Sequence, residues 1–327
     1  MIDDAIAGLR AGRDLSRAAA ARAVGEIMDG RVGDVKIAAF LTAMAIKGET
    51  AAELAGAAAA MRKRVRRVRA PRGRVVDTCG TGGDGAGTFN ISTLAGLVVA
   101  AAGVTVAKHG NRAASSRCGS ADLLEALGVR IDLSPREMER CLRRVGFAFL
   151  MAPTCHPAMR HAAPVRRELG FRTIFNLVGP VSNPAFADTQ TVGVYSWEHA
   201  RLLARALRVR RAFVFHGDGT DELTPCGTNR VIAVPGFRTF TATARDFGVK
   251  RCRLDDLAGG SPRDNAAIAM RVLRGKPGPP LDTVAMNAGA ALVAAGRARS
   301  FRDGAARARE LLASGAALRK LDALRAF

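Results

Sequence analysis

Apolar residues in the first seventy positions recur at helical intervals only. Ile6 and Leu9 begin the series, followed by Ala18, Ala21, Val24, Ile27 and Met28, and then by Ile37, Phe40, Leu41, Met44 and Ile46. Positions 51–61 are strongly helix-favouring, and Gly30, Gly33 and Gly48 stand where helices would stop. The pattern predicts a small unit built from helices alone. At Pro71-Arg-Gly it breaks, and short strand-like runs begin to alternate with helical ones. Strands are expected at 75–76, 104–107, 147–151, 191–195, 211–216, 232–234 and 238–242. Helices are expected between them at 94–102, 121–127, 156–169 and 198–207, and at 135–145 behind the cap Ser134. The last 65 residues return to helices, clearest at 265–273, 282–295 and 303–314. Such alternation predicts an α/β fold: a helical domain over 1–74, then a larger α/β domain over 75–327 with a central, mostly parallel sheet.

Composition narrows the class. The chain has 327 residues, 48% of them hydrophobic, which is ample for a buried core. Its longest apolar stretch, 94–107, is shorter than the ~20 residues of a membrane helix and is broken by Gly96, Gly103 and Thr105, so no membrane span is expected. The opening Met-Ile-Asp-Asp places acids where a secretory leader carries bases. Cys79, Cys118, Cys141, Cys155, Cys226 and Cys252 include no C-x-x-C pair, so neither a zinc knuckle nor a disulfide framework is indicated, and a cytoplasmic location fits.

Charge is the unusual feature. The net charge is +21, with 43 arginines among 50 basic residues. Arg62, Lys63, Arg64, Arg66, Arg67, Arg69, Arg72 and Arg74 fall in one stretch without an acid. A field of this kind attracts polyanions, whether nucleic acid or phosphorylated ligands. Arginines spread over solvated helix faces would produce the same count.

Candidate chemistry gathers in three loops and one helix. Asp77-Thr-Cys-Gly-Thr-Gly-Gly-Asp84 follows the first strand, and Gly80, Gly82 and Gly83 let the backbone approach an anion. Thr88, Asn90, Ser92 and Thr93 then precede an apolar helix, whose N-terminus suits phosphate. The plain alternative is a tight turn in which Asn90 and Ser92 only cap that helix. Lys108-His-Gly-Asn-Arg-Ala-Ala-Ser-Ser116, with Ser120 beyond it, sits at the end of the next strand, where open α/β sheets bind ligands. Asp221-Glu222, on a loop with Gly217 and Gly219, could hold one or two hard cations together with substrate phosphates. Arg166 and Arg167 could each recognise a carboxylate, and the residues alone do not separate them from surface arginines. No serine elbow, Cys-His pair or H-E-x-x-H motif is present. A polyphosphorylated small substrate with Mg²⁺, handled by positioning and electrostatics, is the expectation.

These residues resemble the anthranilate phosphoribosyltransferase family over nearly the whole chain. The likeness rests on Gly-Thr-Gly-Gly-Asp at 80–84, Asn-Ile-Ser-Thr at 90–93, Lys-His-Gly-Asn-Arg at 108–112 and Gly-Ser-Ala-Asp-Leu-Leu-Glu-Ala-Leu-Gly at 119–128. It continues through His-Pro-Ala-Met-Arg at 156–160, Pro-Val-Arg-Arg-Glu-Leu-Gly at 164–170, Phe-Asn-Leu-Val-Gly-Pro-Val-Ser-Asn-Pro at 175–184 and Gly-Thr-Asp-Glu at 219–222. The resemblance implies a nucleoside phosphorylase-like phosphoribosyltransferase fold, its helical domain joined by a returning segment near 166–185, and a homodimer formed through that domain. It implies transfer of the phosphoribosyl group of 5-phosphoribosyl pyrophosphate to anthranilate. By position, Gly80, Gly83, Asp84, Thr88, Asn90, Ile91, Ser92 and Thr93 would bind phosphoribosyl pyrophosphate. Lys108, His109, Gly110, Asn111, Arg112, Ala113, Ala114, Ser115, Ser116 and Ser120 would complete that site. Gly80, Asn111 and Arg166 would face anthranilate, and Ser92, Asp221 and Glu222 would bind Mg²⁺, as two ions.

Three departures from the family pattern are Cys118 in place of serine, Thr220 in place of leucine, and Pro225-Cys226 after the acidic pair. The rival readings are a pyrimidine nucleoside phosphorylase, whose phosphate motifs differ, and a nucleic-acid-binding paralogue without catalysis. The intact Asp221, Glu222, Ser92, Lys108 and Arg166 argue against the second, so nucleic acid is not an expected partner.

Overall fold

The computed structural model describes residues 1–113 and 116–327; Ala114 and Ser115, two of the expected substrate contacts, lie outside the described residues. The N-terminal part is helical: α1 (Ile2–Arg10), α2 (Arg17–Met28), α3 (Asp34–Lys47) and α4 (Ala51–Arg64). Ser16 caps α2, and Thr50 with Glu53 forms a reciprocal capping box on α4. Glu53 is fully buried, yet each of its oxygens is engaged. One accepts the Leu15 amide at 2.8 Å, and the other accepts Thr50 N at 2.8 Å and Lys47 Nζ at 3.1 Å. One carboxylate thereby ties three helix ends together.

The rest alternates around one sheet. Its strands are β1 (Val75–Gly80), β2 (Thr105–Gly110), β3 (Phe147–Met151), β4 (Thr189–Gly193), β5 (Arg211–His216), β6 (Asn229–Val234) and β7 (Arg238–Ala242). The seven strands run in the order β3-β2-β1-β4-β5-β6-β7. The first five are mutually parallel, and β6 and β7 add an antiparallel edge. Chain order reverses at β1, which has β2 on one side and β4 on the other. That switch point is where such sheets leave a crevice.

The helices of this part are α5 (Ile91–Ala101), α6 (Ser120–Ala126), α7 (Pro135–Val145), α8 (Ala152–Cys155), α9 (Ala163–Leu169), α10 (Ile174–Val178), α11 (Trp197–Ala206), α12 (Ala244–Phe247), α13 (Pro262–Leu273), α14 (Pro279–Ala294), α15 (Phe301–Ala313) and α16 (Ala316–Arg325). One core joins α5, α14 and α16 to the sheet through residues such as Leu94, Val98, Val106, Phe147, Val284 and Leu321. A second core joins Ile27, Ile37, Phe40 and Leu54 of the N-terminal helices to Val165, Phe175, Leu177 and Val178, and to Val192 and Val214 of the sheet.

Several expected elements change in extent. The strands predicted at 75–76 and 104–107 run on to Gly80 and Gly110. Asp77, Thr78 and Lys108 read as loop residues because they are polar, but all three are buried in the sheet with partners there. The single helix expected over 156–169 is instead a 3-10 turn at Pro157–His161 followed by α9. Pro157 and Pro164 each remove an amide donor that a continuous helix would need. The short α8, α10 and α12 are not among the expected helices, whereas α16 falls within the helical C-terminal stretch. By contrast, α7 and β3 match their predicted bounds, with Ser134 and Glu137 capping α7 and left-handed Gly146 ending it.

Three side chains of the basic run are engaged within the molecule. Arg64 holds Asp29 at 2.5 and 2.7 Å, Arg67 lies 4.8 Å over the Phe186 ring, and Arg74 donates to the Ala295 carbonyl. Among the described residues, no helix is long and apolar enough to cross a membrane.

Candidate active site

The glycine-rich loop leaves the end of β1 beside the carboxylate loop that follows β5. Asp221 Oδ2 accepts the Gly82 amide at 2.7 Å, and Asp84 Oδ2 accepts the Asp221 amide at 3.0 Å. A Cβ at Gly80 would collide with the Asp221 carboxylate, and one at Gly193 with its carbonyl. Glycine is needed at both strand ends because the acidic residue packs against their backbones. Glu222 turns toward α5 and accepts the Ser92 amide at 3.0 Å.

Lys108 reaches the same place from β2. Its Nζ donates to the Thr78 carbonyl and to Ser92 Oγ at 3.3 Å. Burial pulls the Lys108 ammonium below its ordinary value, with Asp77 the strongest charge acting the other way. Burial, with Asp84 alongside, pushes the Asp221 carboxyl up to about 7. Burial first and Asp221 second push Glu222 well above the usual carboxylate range, against the pull of Lys108. Glu222 is buried and Asp221 partly so, both with too little nearby positive charge, and such oxygen donors suit a hard divalent cation. Among the described residues no three His, Cys, Asp or Glu side chains form a protein-only metal cage. A cation here would therefore draw further ligands from a bound phosphate.

Asn90 decides between a capping role and a site role. It makes no side-chain cap bond to α5. Its amide donates instead to the Cys118 carbonyl at 3.0 Å, and its Oδ1 accepts from Asn265 at 2.9 Å. Asn90 thus links the first loop to the second. The second loop is drawn closed by Asp122, whose Oδ2 accepts the amides of Ala113 and Gly119, both at 2.9 Å. Ser120 Oγ donates to the Asn111 carbonyl at 3.3 Å. Cys118 is buried and donates to Asn90 Oδ1 at 3.4 Å, so this departure from serine preserves a donor.

Other expected contacts have different surroundings. Ile91 points into the core, and its amide is bonded to the Phe89 carbonyl at 2.7 Å. Thr93 is buried as well, whereas Thr88 is half-buried and bridges to Ala258. Gly83 lies in the left-handed region at φ 76°. A Cβ at Gly110 would strike Ser120 Oγ and the Phe149 ring. Arg112 pairs with Asp122 and Glu125, at 3.0 and 2.8 Å, and Ser116 is exposed. The structure separates the two candidate arginines: Arg167 is exposed, while Arg166 is half-buried with its guanidinium 5.5 Å from the Phe175 ring centroid. Burial lowers the Arg166 pKa, and no carboxylate pairs with Arg166 among the described residues.

Sequence reasoning assigned no role to several residues that build this site. Asn183 donates to Asp77 Oδ2 at 2.7 Å and to the Ala107 carbonyl at 2.9 Å, fixing β1 against β2. His156 lies against His109 with ring centroids 5.1 Å apart and the rings tilted by 51°, and each ring has a buried Nε2 lacking a hydrogen-bond partner among the described residues. Arg172 lies 4.2 Å over Tyr195 and faces Gly83, where a Cβ would come within 3.5 Å of its Nε. Asn183 lies inside the Phe-Asn-Leu-Val-Gly-Pro-Val-Ser-Asn-Pro stretch, which marked the segment but not the role. Nothing local marks Asn265 or Arg172.

Two family descriptions match the chain: the glycosyl transferase family helical bundle domain over residues 3–65, and its a/b domain over residues 72–318. The anthranilate phosphoribosyltransferase of Desulfatibacillum aliphaticivorans is 49% identical over 333 aligned positions, covering 100% of this chain and 98% of that protein. The one from Anaeromyxobacter dehalogenans (strain 2CP-C) is 51% identical, covering 98% of this chain and 97% of that protein. Among solved structures, anthranilate phosphoribosyltransferase from Thermus thermophilus superposes with a TM-score of 0.94 at 48% identity, covering 99% of this chain and 98% of that one. The Saccharomyces cerevisiae enzyme in complex with PRPP and Mg superposes at 0.91 with 29% identity, covering 100% of this chain and 98% of that one.

Proposed function

Since the chain belongs to the anthranilate phosphoribosyltransferase family, we propose that this site joins anthranilate to 5-phosphoribosyl pyrophosphate, giving N-(5-phosphoribosyl)anthranilate and pyrophosphate. The chain is a pentosyl-transferring glycosyltransferase of tryptophan biosynthesis. The observation that carries the site assignment is the convergence of Lys108, Ser92, Asp221 and Glu222 beside two glycine-rich strand ends.

In this reading the amides of the first loop and the N-terminus of α5 bind the phosphates, with Lys108 and the second loop closing over them. Asp84 positions the carboxylate loop through the Asp221 amide. Ser92, Asp221 and Glu222 hold Mg²⁺. Two ions are favoured because Asp221 faces the first loop and Glu222 faces α5. Magnesium supplies charge to the departing pyrophosphate. Arg166, together with Gly80 and Asn111, receives anthranilate; its guanidinium pairs with the carboxylate and sets the amine toward the ribosyl carbon. The bond to pyrophosphate breaks ahead of nitrogen attack, without a covalent enzyme intermediate. The weakly basic aromatic amine needs little deprotonation before it attacks, so no general base is required.

The helical domain takes residues 1–74 together with a returning segment near 166–185. That division is supported by Ile174, Phe175, Leu177 and Val178 packing with the N-terminal helices. A homodimer through this domain is supported by α3, which exposes Val35 at 85% and Ile46 at 82% on one helix face. A cytoplasmic location follows from its biosynthetic, phosphorylated substrate.

The test is the decay of anthranilate fluorescence on mixing the protein with phosphoribosyl pyrophosphate and Mg²⁺. The decay should vanish with EDTA and in an Asp221→Asn/Glu222→Gln variant. A decay indifferent to both would overturn the metal site, and no decay from folded protein would overturn the activity.

A further inference from the structure

Cys226 and Cys252 bring their sulfur atoms to 3.6 Å. Both are partly exposed, whereas Cys79, Cys118, Cys141 and Cys155 are buried. The segments carrying them are already docked, because Arg251 Nη2 donates to the Cys226 carbonyl at 3.1 Å. Cys226 lies in the loop that presents Asp221 and Glu222, between β5 and β6. Asn287 pins that loop by accepting the Leu223 amide at 3.1 Å and donating to the Leu223 carbonyl at 2.8 Å. Cys252 leads into the 3-10 turn Leu254–Leu257, and the Leu257 carbonyl accepts the Phe89 amide at 3.1 Å. Two residues later, the Gly259 amide donates to the Gly87 carbonyl at 2.8 Å. The two thiols therefore join the segment behind the carboxylate loop to the segment that buttresses the glycine-rich loop.

We propose that Cys226 and Cys252 are an oxidisable thiol pair that closes to an intramolecular disulfide, tying these two segments together. The sulfurs must approach by roughly 1.5 Å, a movement that side-chain rotation with a small loop shift supplies. The oxidant is a peroxide. The Cys226 sulfur attacks one peroxide oxygen, the O–O bond breaks, and a sulfenic acid and one water form. The Cys252 sulfur then attacks the sulfenic sulfur. The S–S bond forms, the S–O bond breaks, and the hydroxyl leaves with the Cys252 proton as a second water. Two thiols are oxidised and one peroxide is reduced to two waters. Burial and the adjacent Cys226 push the Cys252 thiol up to about 12, and the same linked product forms whichever sulfur attacks first.

Full-length protein treated with a small excess of hydrogen peroxide, then alkylated under denaturing conditions and mapped by mass, gives the answer. The expected product links the Cys226 and Cys252 peptides within one chain, is lighter by two hydrogens, and is reversed by dithiothreitol. The four buried cysteines remain available to the alkylating agent. Cys226→Ser and Cys252→Ser each remove the link. In unmutated protein the oxidised form should slow amide exchange over 85–90 and 221–228 several-fold relative to the reduced form. Three results would overturn the proposal: no link, a link between chains, or Cys226 carried to sulfinic acid while Cys252 stays free. None of these readouts uses turnover, so the outcome is separate from that of the transferase assay.

Discussion

Gly193 ends β4 against the backbone of Asp221, so closely that a Cβ there would overlap the Asp221 carbonyl. The carboxylate loop is thus seated on the bare backbone of a neighbouring strand. Gly80 plays a related part, but its missing Cβ would meet chiefly the end of the Asp221 side chain. A backbone carbonyl cannot rotate away as a carboxylate can. Gly193→Ala is therefore expected to be the more damaging change, lowering kcat/KM by roughly a hundredfold against about tenfold for Gly80→Ala. Both variants should need more Mg²⁺ for half-maximal rate. Equal losses in the two variants would contradict the argument.

Arg166 is half-buried, lies over Phe175 and has no carboxylate partner among the described residues. Arg166→Ala should raise the KM for anthranilate by about tenfold or more and leave that for phosphoribosyl pyrophosphate within roughly twofold. Arg166→Lys should recover only part of the loss, because an ammonium cannot bind a carboxylate with two parallel bonds. Steady-state kinetics varying each substrate in turn distinguishes this from a general loss of fold.

Asn183 is the side-chain donor to Asp77 Oδ2, in a carboxyl that burial pushes above its usual range. Asn183→Ala removes a donor from that oxygen and from the Ala107 carbonyl. Stability should fall by about 2–3 kcal/mol, read from the urea midpoint at constant m-value. A change below roughly 0.5 kcal/mol would mean the bond is dispensable.

Burial lowers the His156 ring to about 4, and burial with His156 alongside lowers His109 to about 3. Below the ordinary value of 6.5 the unfolded chain takes up protons that these rings refuse. The histidines' contribution to stability should therefore be level above about pH 7 and fall as the pH drops from 6.5 toward 4, while the raised Asp221 carboxyl acts in the opposite direction there. Each histidine contributes up to about 1.4 kcal/mol per pH unit in that window. Relative to the unmutated protein, His156→Gln should lower the slope of stability against pH by up to about 1.4 kcal/mol per unit in that window, seen in denaturant titrations at several pH values. An unchanged slope would place the acid sensitivity elsewhere.

Val35 and Ile46 lie on one exposed face of α3, about three turns apart. Asp substitutions at both positions should convert a dimer to a monomer by light scattering while leaving the helical content unchanged. A dimer that survives both charges would put the interface on another face.

The local sequence was sufficient wherever an element is decided by its own residues. Capped α7 is an example, with Ser134 before it, Glu137 in its first turn and Gly146 after it. The helical first domain, the alternation of strands and helices, and the glycine-rich and polar loops that follow β1, β2 and β5 were legible for the same reason: periodicity and turn chemistry act over a few residues. The bounds of β1 and β2 were not, because Asp77 and Lys108 are polar and only the surrounding sheet supplies the partners that permit their burial. The different surroundings of Arg166 and Arg167 were likewise decided by Phe175 and burial, and the meeting of Cys226 with Cys252 by the packing of two loops. Which groups this protein possesses was determined along the chain; which of them lose water and which meet was decided by tertiary structure alone, since desolvation and contact depend on distance in space.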